Sequence, residues 1–207
     1  MGGRRSDADA RDSRAAILRR ATDVASAEGL EGLTIGRLAS DVGMSKAGVL
    51  GHFGTKERLQ LEALDYAAEV FVERVWRPAE HAQPGLGRLL AICEAWADYV
   101  QNPSFSGGCF IAAASFEYDS RDGNVHDALR TVVRRWRRKL VREIETAVEA
   151  GELPSESDPD QIAFTLESLA AGTSPARYLQ EDKDVAARCL RAMRLAIGVP
   201  AAVAERP

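Results

Sequence analysis

Apolar residues recur along this chain at helical spacing almost from end to end. Over residues 13–28 they fall at Ala16, Ile17, Ala21, Val24 and Ala25, and Gly29 follows as a natural stop. Thr34 can cap a short helix over 35–42 that Gly43 ends, and Ser45 can cap another over 46–52. Thr55 opens a longer helix to about Trp76, with Glu57 and Glu62 near its start, where the helix dipole favours acids. Further helices are predicted over 86–101 and 109–118. A long one over 122–150 carries the stripe Val125, Leu129, Val132, Trp136, Leu140, Ile144 and Val148. Two more follow over 159–179 and 182–198, with Ser174-Pro175 expected to kink or split the first. No stretch alternates with a period of two. The expected fold is all-α: three small helices at the N-terminus, then a helical bundle.

The run from Thr34 to Phe53 carries the chemistry. Two crossing helices need a small residue at the crossing, and Ala39 supplies it. The turn needs a residue tolerant of positive φ, and Gly43 stands four positions on. The second helix needs an apolar residue facing the first, and Val49 stands six positions further. Ile35, Leu38, Val42 and Phe53 complete a small core. That spacing describes a helix-turn-helix.

Composition agrees with a soluble protein that has a sizeable core: 45% of the 207 residues are hydrophobic and 28% charged. No apolar run is long enough to span a membrane, and the polar segment 1–12 lacks the apolar region of a secretory signal. The three cysteines form no CxxC pair, so a reducing cytoplasm is expected. The formal net charge is −4, but it is unevenly spread. Residues 1–60 hold ten Lys/Arg against eight Asp/Glu, and the remainder holds 17 against 23. A DNA-facing head on an acidic body gives such an asymmetry. Phosphate-loop, zinc-protease and nucleophile-elbow motifs are absent, and His52, His81 and His126 show no metal-ligand spacing. No enzyme, metal or cofactor is expected. The rival readings are a helical enzyme that binds a small molecule and a protein-interaction adaptor.

Residues 14–64 resemble the DNA-binding domain of the TetR family of bacterial repressors, through Thr34 to Lys56 with Met44-Ser45-Lys46, His52-Phe53 and Thr55-Lys56-Glu57. Gly107-Gly108-Cys109-Phe110 and the two final helices fit the same layout. Residues 1–12 read as a flexible arm whose Arg4, Arg5 and Arg11 could reach DNA, and the resemblance implies a helix-turn-helix domain over 13–58 and an effector-binding and dimerisation domain over 59–200. It implies a homodimer on a palindromic double-stranded operator, released by a small molecule and attached to no membrane. Helix 46–52 would enter the major groove. Lys46 would donate to guanine, Ala47 and Gly48 would allow close approach and could admit a thymine methyl, Leu50 would lie on the DNA-binding face, and Thr34, Ser45, His52 and Lys56 would meet phosphates. Leu50 departs from the family, where an aromatic residue often stands, and Gly48 and Gly51 thin the reading face.

Aromatic residues crowd the central helices and read either as core or as the lining of an apolar cavity. By the resemblance, some share of an effector site is expected among Phe71, Trp96, Tyr99, Phe110, Glu117, His126 and Trp136. Arg134, Arg135, Arg137, Arg138 and Lys139 surround Trp136 on the long helix and read as a solvated face. The apolar surplus of the last two helices, with Ile162, Leu166, Leu169, Leu190, Met193 and Ile197, is expected to form a two-fold dimer interface.

Overall fold

The computed structural model describes residues 3–199, with side chains from residue 8 onward. Among these residues regular structure is helical: α1 (Gly3–Glu28), α2 (Ile35–Asp41), α3 (Lys46–Phe53), α4 (Lys56–Phe71), α5 (Leu86–Gln101), α6 (Phe110–Tyr118), α7 (Asn124–Glu149), α8 (Pro159–Ala171), α9 (Thr173–Tyr178) and α10 (Val185–Ile197). A π-helical turn (Val72–Trp76) and a 3-10 turn (Arg77–Ala79) follow α4. Pro78 brings no N–H, so a regular ladder cannot continue through it.

The chain forms two compact units. One holds the residues through Val70 together with Ser104–Val132, and the other holds Phe71–Pro103 together with the residues from Val133 onward. This division differs from a head over 13–58 and a body over 59–200. α6 and the first part of α7 belong with the head, because α6 packs on α1.

In the first unit α2 packs on α3, with Ala39 3% exposed and Leu38 and Val49 fully buried. Thr34 caps α2 by accepting from Arg37 N at 3.3 Å, and Ser45 caps α3 by accepting from Gly48 N at 3.0 Å. Gly43 makes the turn at φ 66°, a conformation that costs other residues about 1–2 kcal/mol. α1 begins at Gly3, ten residues before the helix the sequence predicts, so the segment expected as an arm is the first part of α1. No proline or glycine interrupts residues 4–12, and Ala8 and Ala10 favour helix. The side chains of Arg4 and Arg5 lie outside the described residues.

In the second unit, α10 packs against α5 and α8. Leu89, Ile92 and Cys93 of α5, Leu166 of α8, Met193 of α10, and Leu140 and Ile144 of α7 are all fully buried. α5 starts at Gly85 with no capping side chain of its own. Carboxylates from elsewhere do the work: Glu143 accepts from Gly85 N at 3.0 Å and Glu152 from Leu86 N at 2.8 Å. Glu143 is 5% exposed and also pairs with Arg88 at 3.1 Å. The break between α8 and α9 falls at Gly172, not at Ser174-Pro175. Pro175 sits in the first turn of α9, where a missing N–H leaves no bond unmade.

Gly107 marks the closest approach in the first unit. Its N–H donates to Ser26 Oγ at 3.0 Å, and a Cβ built there would lie 2.1 Å from Ser26 O. Because the obstacle is helix backbone, Gly107→Ala is expected to destabilise the protein by roughly 1–3 kcal/mol. Gly51→Ala, with nothing within 4 Å of the new Cβ, is the control and should be neutral or stabilising. Urea unfolding of both variants checks this.

Candidate nucleic-acid interface

α3 is short and sharply two-sided. Val49 and Phe53 face inward, and Arg14 lies over the Phe53 ring at 4.8 Å. Lys46, Ala47, Leu50 and Gly51 are exposed, Leu50 at 39%. Gly48 is half-buried. Lys46 folds back across α2: its Cε lies 3.0 Å and its Nζ 3.4 Å from where a Cβ on Gly36 would stand. His52 is half-buried and tilted against Phe53, with ring centroids 6.3 Å apart. The Thr34 and Ser45 hydroxyls each accept one backbone N–H as caps, and each still carries a proton that can be donated to a phosphate oxygen.

Most other basic residues of the head are tied to acids. Arg14 and Arg58 pair with Glu62, Arg20 with Asp23 and Asp41, and Arg37 with Glu28 and Asp41. Lys56 is tied as well: its Nζ donates to Glu31 O at 2.8 Å and to the Glu31 carboxylate at 3.2 Å. Lys46 has no carboxylate partner among the described residues.

Sequence reasoning missed the clasp behind this surface. The Glu117 carboxylate of α6 accepts from Leu30 N at 2.7 Å and Glu31 N at 2.9 Å, in the turn between α1 and α2. Tyr118 donates its hydroxyl to Glu31 at 2.8 Å, and Gln60 donates to Leu30 O at 2.8 Å. Ser106 N donates to Asp23 at 2.8 Å. These partners lie 83–87 residues apart, apart from Gln60 and Leu30, and no local pattern announces them. The Tyr118 hydroxyl, and after it Lys56, hold the Glu31 carboxyl below its ordinary 4.5. Burial, reinforced by the bond to Glu31, pushes the Tyr118 hydroxyl up.

The structure brings only part of the expected effector set together. Phe71 stands edge-on to Trp96, Tyr99 and Trp136, with centroids at 5.7, 5.7 and 4.9 Å, and Trp96 meets Trp136 at 5.4 Å. All four are in the second unit. Phe110, Glu117 and His126 belong to the first unit and do other things. Phe110 is core beside Phe105, Glu117 is the clasp, and His126 lies 3.1 Å from Asp127. The resemblance grouped them with the aromatics of the central helices, and nothing local in the sequence separates the two units. In the basic cluster, Arg137 pairs with Asp160 and Glu167, and Lys139 sits 3.5 Å over the Trp76 ring.

Of the residues expected at the dimer face, three are enclosed within the chain itself. Leu166, Met193 and Ile197 are 0–3% exposed, consumed by the packing of α5, α8 and α10 within the chain, and Ile162, Leu169 and Leu190 are half-buried. The exposed apolar side chains of these last helices are Phe164 at 56%, Tyr178 at 46% and Leu195 at 66%, with Leu179 just beyond α9 at 83%. Two helices packing on one core use up the larger stripe, so what remains outside is the smaller one.

A capped helix-turn-helix with a bare reading face, in a chain otherwise built of helical bundle, defines a DNA-binding regulator. The comparisons sharpen that class. Residues 17–63 match bacterial regulatory proteins of the tetR family, and residues 85–193 match the tetracyclin repressor-like C-terminal domain, so the chain belongs to the TetR family of transcriptional regulators. Its members are regulators rather than enzymes. Among solved structures, a TetR regulator from Chloroflexus aurantiacus J-10-FL is similar in fold, with TM-score 0.84 and 23% identity over 93% of this chain and 97% of that one. AibR, in complex with isovaleryl coenzyme A and operator DNA, gives TM-score 0.71 and 20% identity over 86% and 96%. A regulator from Saccharomonospora viridis in complex with choline gives 0.75 and 19% over 91% and 96%. No curated protein sequence matches the chain. Among the described residues no helix is long and apolar enough to cross a membrane.

The clasp has a pH signature. Glu31 ionises more readily in the folded chain, so it stabilises the fold above the unfolded carboxyl's 4.5, and that contribution is lost as pH falls through the lower folded value. Glu31→Gln should therefore lower the urea midpoint at pH 7, with the gap to the parent narrowing as pH falls below 4.5.

Proposed function

We propose that this protein is a cytoplasmic homodimeric repressor that grips a palindromic operator and lets go when an apolar or aromatic small molecule binds its body. The observation that carries the DNA reading is the exposed face of α3, flanked by two capping hydroxyls and Lys46. In this reading Lys46, Ala47, Gly48 and Leu50 face bases. Thr34, Ser45, His52 and Lys56 contact phosphates and set register, Lys56 by exchanging its bonds to Glu31.

The effector reading rests on the cluster of Phe71, Trp96, Tyr99 and Trp136. The Trp136 indole nitrogen is buried without a hydrogen-bond partner among the described residues. An effector that displaces part of this packing and accepts a hydrogen bond from the indole suits that chemistry. The relatives solved with isovaleryl coenzyme A and with choline support a small-molecule role for such a body. The effector shifts operator occupancy only through a difference in affinity for the two states.

Binding to a duplex from the protein's own upstream region, titrated with salt, tests this reading. Lys46→Ala should relax base preference. Lys56→Ala should weaken binding to all sequences and lower the salt slope by about one. Salt-independent binding of the parent, or no release by any member of an aromatic small-molecule panel, would refute the corresponding half.

For assembly, Phe164→Glu and Leu195→Glu change exposed positions and should leave the fold intact while halving the sedimenting mass toward that of one 22.4 kDa chain. Paired heads span half-sites roughly 34–36 Å apart, or a multiple of that, so operator affinity should fall with the dimer.

A further inference from the structure

We propose that this protein reads its operator chiefly through the 5-methyl groups of thymines, packed against an apolar patch formed by Ala47, Leu50 and Gly51. The inference rests on the reading above, that α3 enters the major groove, and adds what it recognises there.

Three observations converge on the patch. First, α3 offers few groups for hydrogen-bond readout: from Lys46 to Phe53 it contains no Arg, Asn, Gln, Asp, Glu, Ser or Thr. Bidentate pairing to guanine or adenine needs Arg, Lys, Asn or Gln, and here only Lys46 belongs to that set. Second, the polar side chains that exist are turned aside. Lys46 lies across Gly36, His52 is half-buried against Phe53, and the Ser45 hydroxyl is engaged with Gly48 N. Third, the exposed surface left between them is apolar. Ala47 and Leu50 are three apart and Ala47 and Gly51 four apart, so the three share one helix face. Leu50 is 39% exposed in a chain whose other leucines of the helix-turn-helix, Leu33 and Leu38, are fully buried. Nothing lies within 4 Å of a Cβ built on Gly51, so that side of the helix is open to close approach.

The major-groove edge of B-DNA offers one apolar group, the thymine C5-methyl. A leucine and an alanine aimed at base edges gain by desolvating that methyl and gain nothing from the polar edges of guanine, cytosine or adenine. Recognition then follows the pattern of A·T and T·A pairs at the steps this patch contacts, Lys46 adds base preference at its own position, and the phosphate contacts supply affinity.

The test isolates the methyl group. The full-length protein first selects binding sites from a random duplex pool. The selected duplex is then compared with the same duplex carrying deoxyuridine in place of thymidine, at every position and one position at a time. This replacement removes the methyl and keeps the pairing. Each contacted methyl should be worth roughly fourfold in affinity, from about 0.8 kcal/mol per buried carbon. Full replacement should therefore cost tenfold or more, concentrated at a few symmetric positions. Leu50→Ala, a change at an exposed position, should bring the thymine-to-uracil ratio at the discriminating position close to one.

Parent protein that binds the two duplexes within twofold overturns the inference and leaves the DNA-binding reading standing. A uracil penalty of the same size in Leu50→Ala assigns the effect to DNA shape and overturns it too. Failure to bind or enrich any duplex would bring down both readings together.

Discussion

The turn between α1 and α2 is held by a carboxylate from far along the chain, and the placement of the helix-turn-helix depends on that hold. Leu30 and Glu31 present backbone N–H groups that no helix satisfies. Glu117 accepts both, at 2.7 and 2.9 Å. The Leu30 amide is part-buried, where an unmade bond costs about 1–3 kcal/mol, so the clasp pins the chain at the point from which α2 departs. α2 in turn sets α3 through Ala39, Val49 and the Gly43 turn. Gly107 makes the clasp reachable, since only a residue without a side chain lets the segment before α6 lie so close to Ser26.

The second unit solves a similar problem with the same chemistry. α5 starts at a glycine, and its first amides are met by Glu143 and Glu152. Glu143 is nearly enclosed and takes Arg88 as its counter-charge. Removing either member would leave the other charge buried, which is far costlier than removing both. In both units, then, carboxylates serve as the supports of helix ends and turns. This also explains why the acid-rich composition of the chain is compatible with a DNA-binding head. Many acids are committed to amides or to arginines, and the reading face itself carries none.

That reading face is thin. Apart from Val49, His52 and Phe53, α3 consists of two glycines, an alanine, a leucine and one lysine. A single head so equipped has little with which to discriminate, and paired heads double whatever discrimination each has. In the proposed reading the poverty of α3 calls for paired heads, and the exposed Phe164 and Leu195 of α8 and α10 offer a face for pairing.

The amino-acid sequence by itself determined the all-helical architecture, the bounds of α2, α3 and α5 to within a residue or so, and the crossing built on Ala39, Gly43 and Val49. These are local: capping oxygens, glycine stops and apolar spacing act within a turn or two of helix. It did not show that α1 runs back to Gly3, since residues 4–12 carry no apolar stripe and only their backbone preference favours helix. Nor could it divide the inward-facing side chains between two cores. Phe71, Trp96, Tyr99 and Trp136 share one, while Phe110 lies in another and Glu117 is spent on backbone amides. Leu166, Met193 and Ile197 looked available for a partner and are instead enclosed by their own chain. Periodicity states that a face is apolar. Which neighbour covers it depends on contacts between residues dozens of positions apart, and only the tertiary structure decides those.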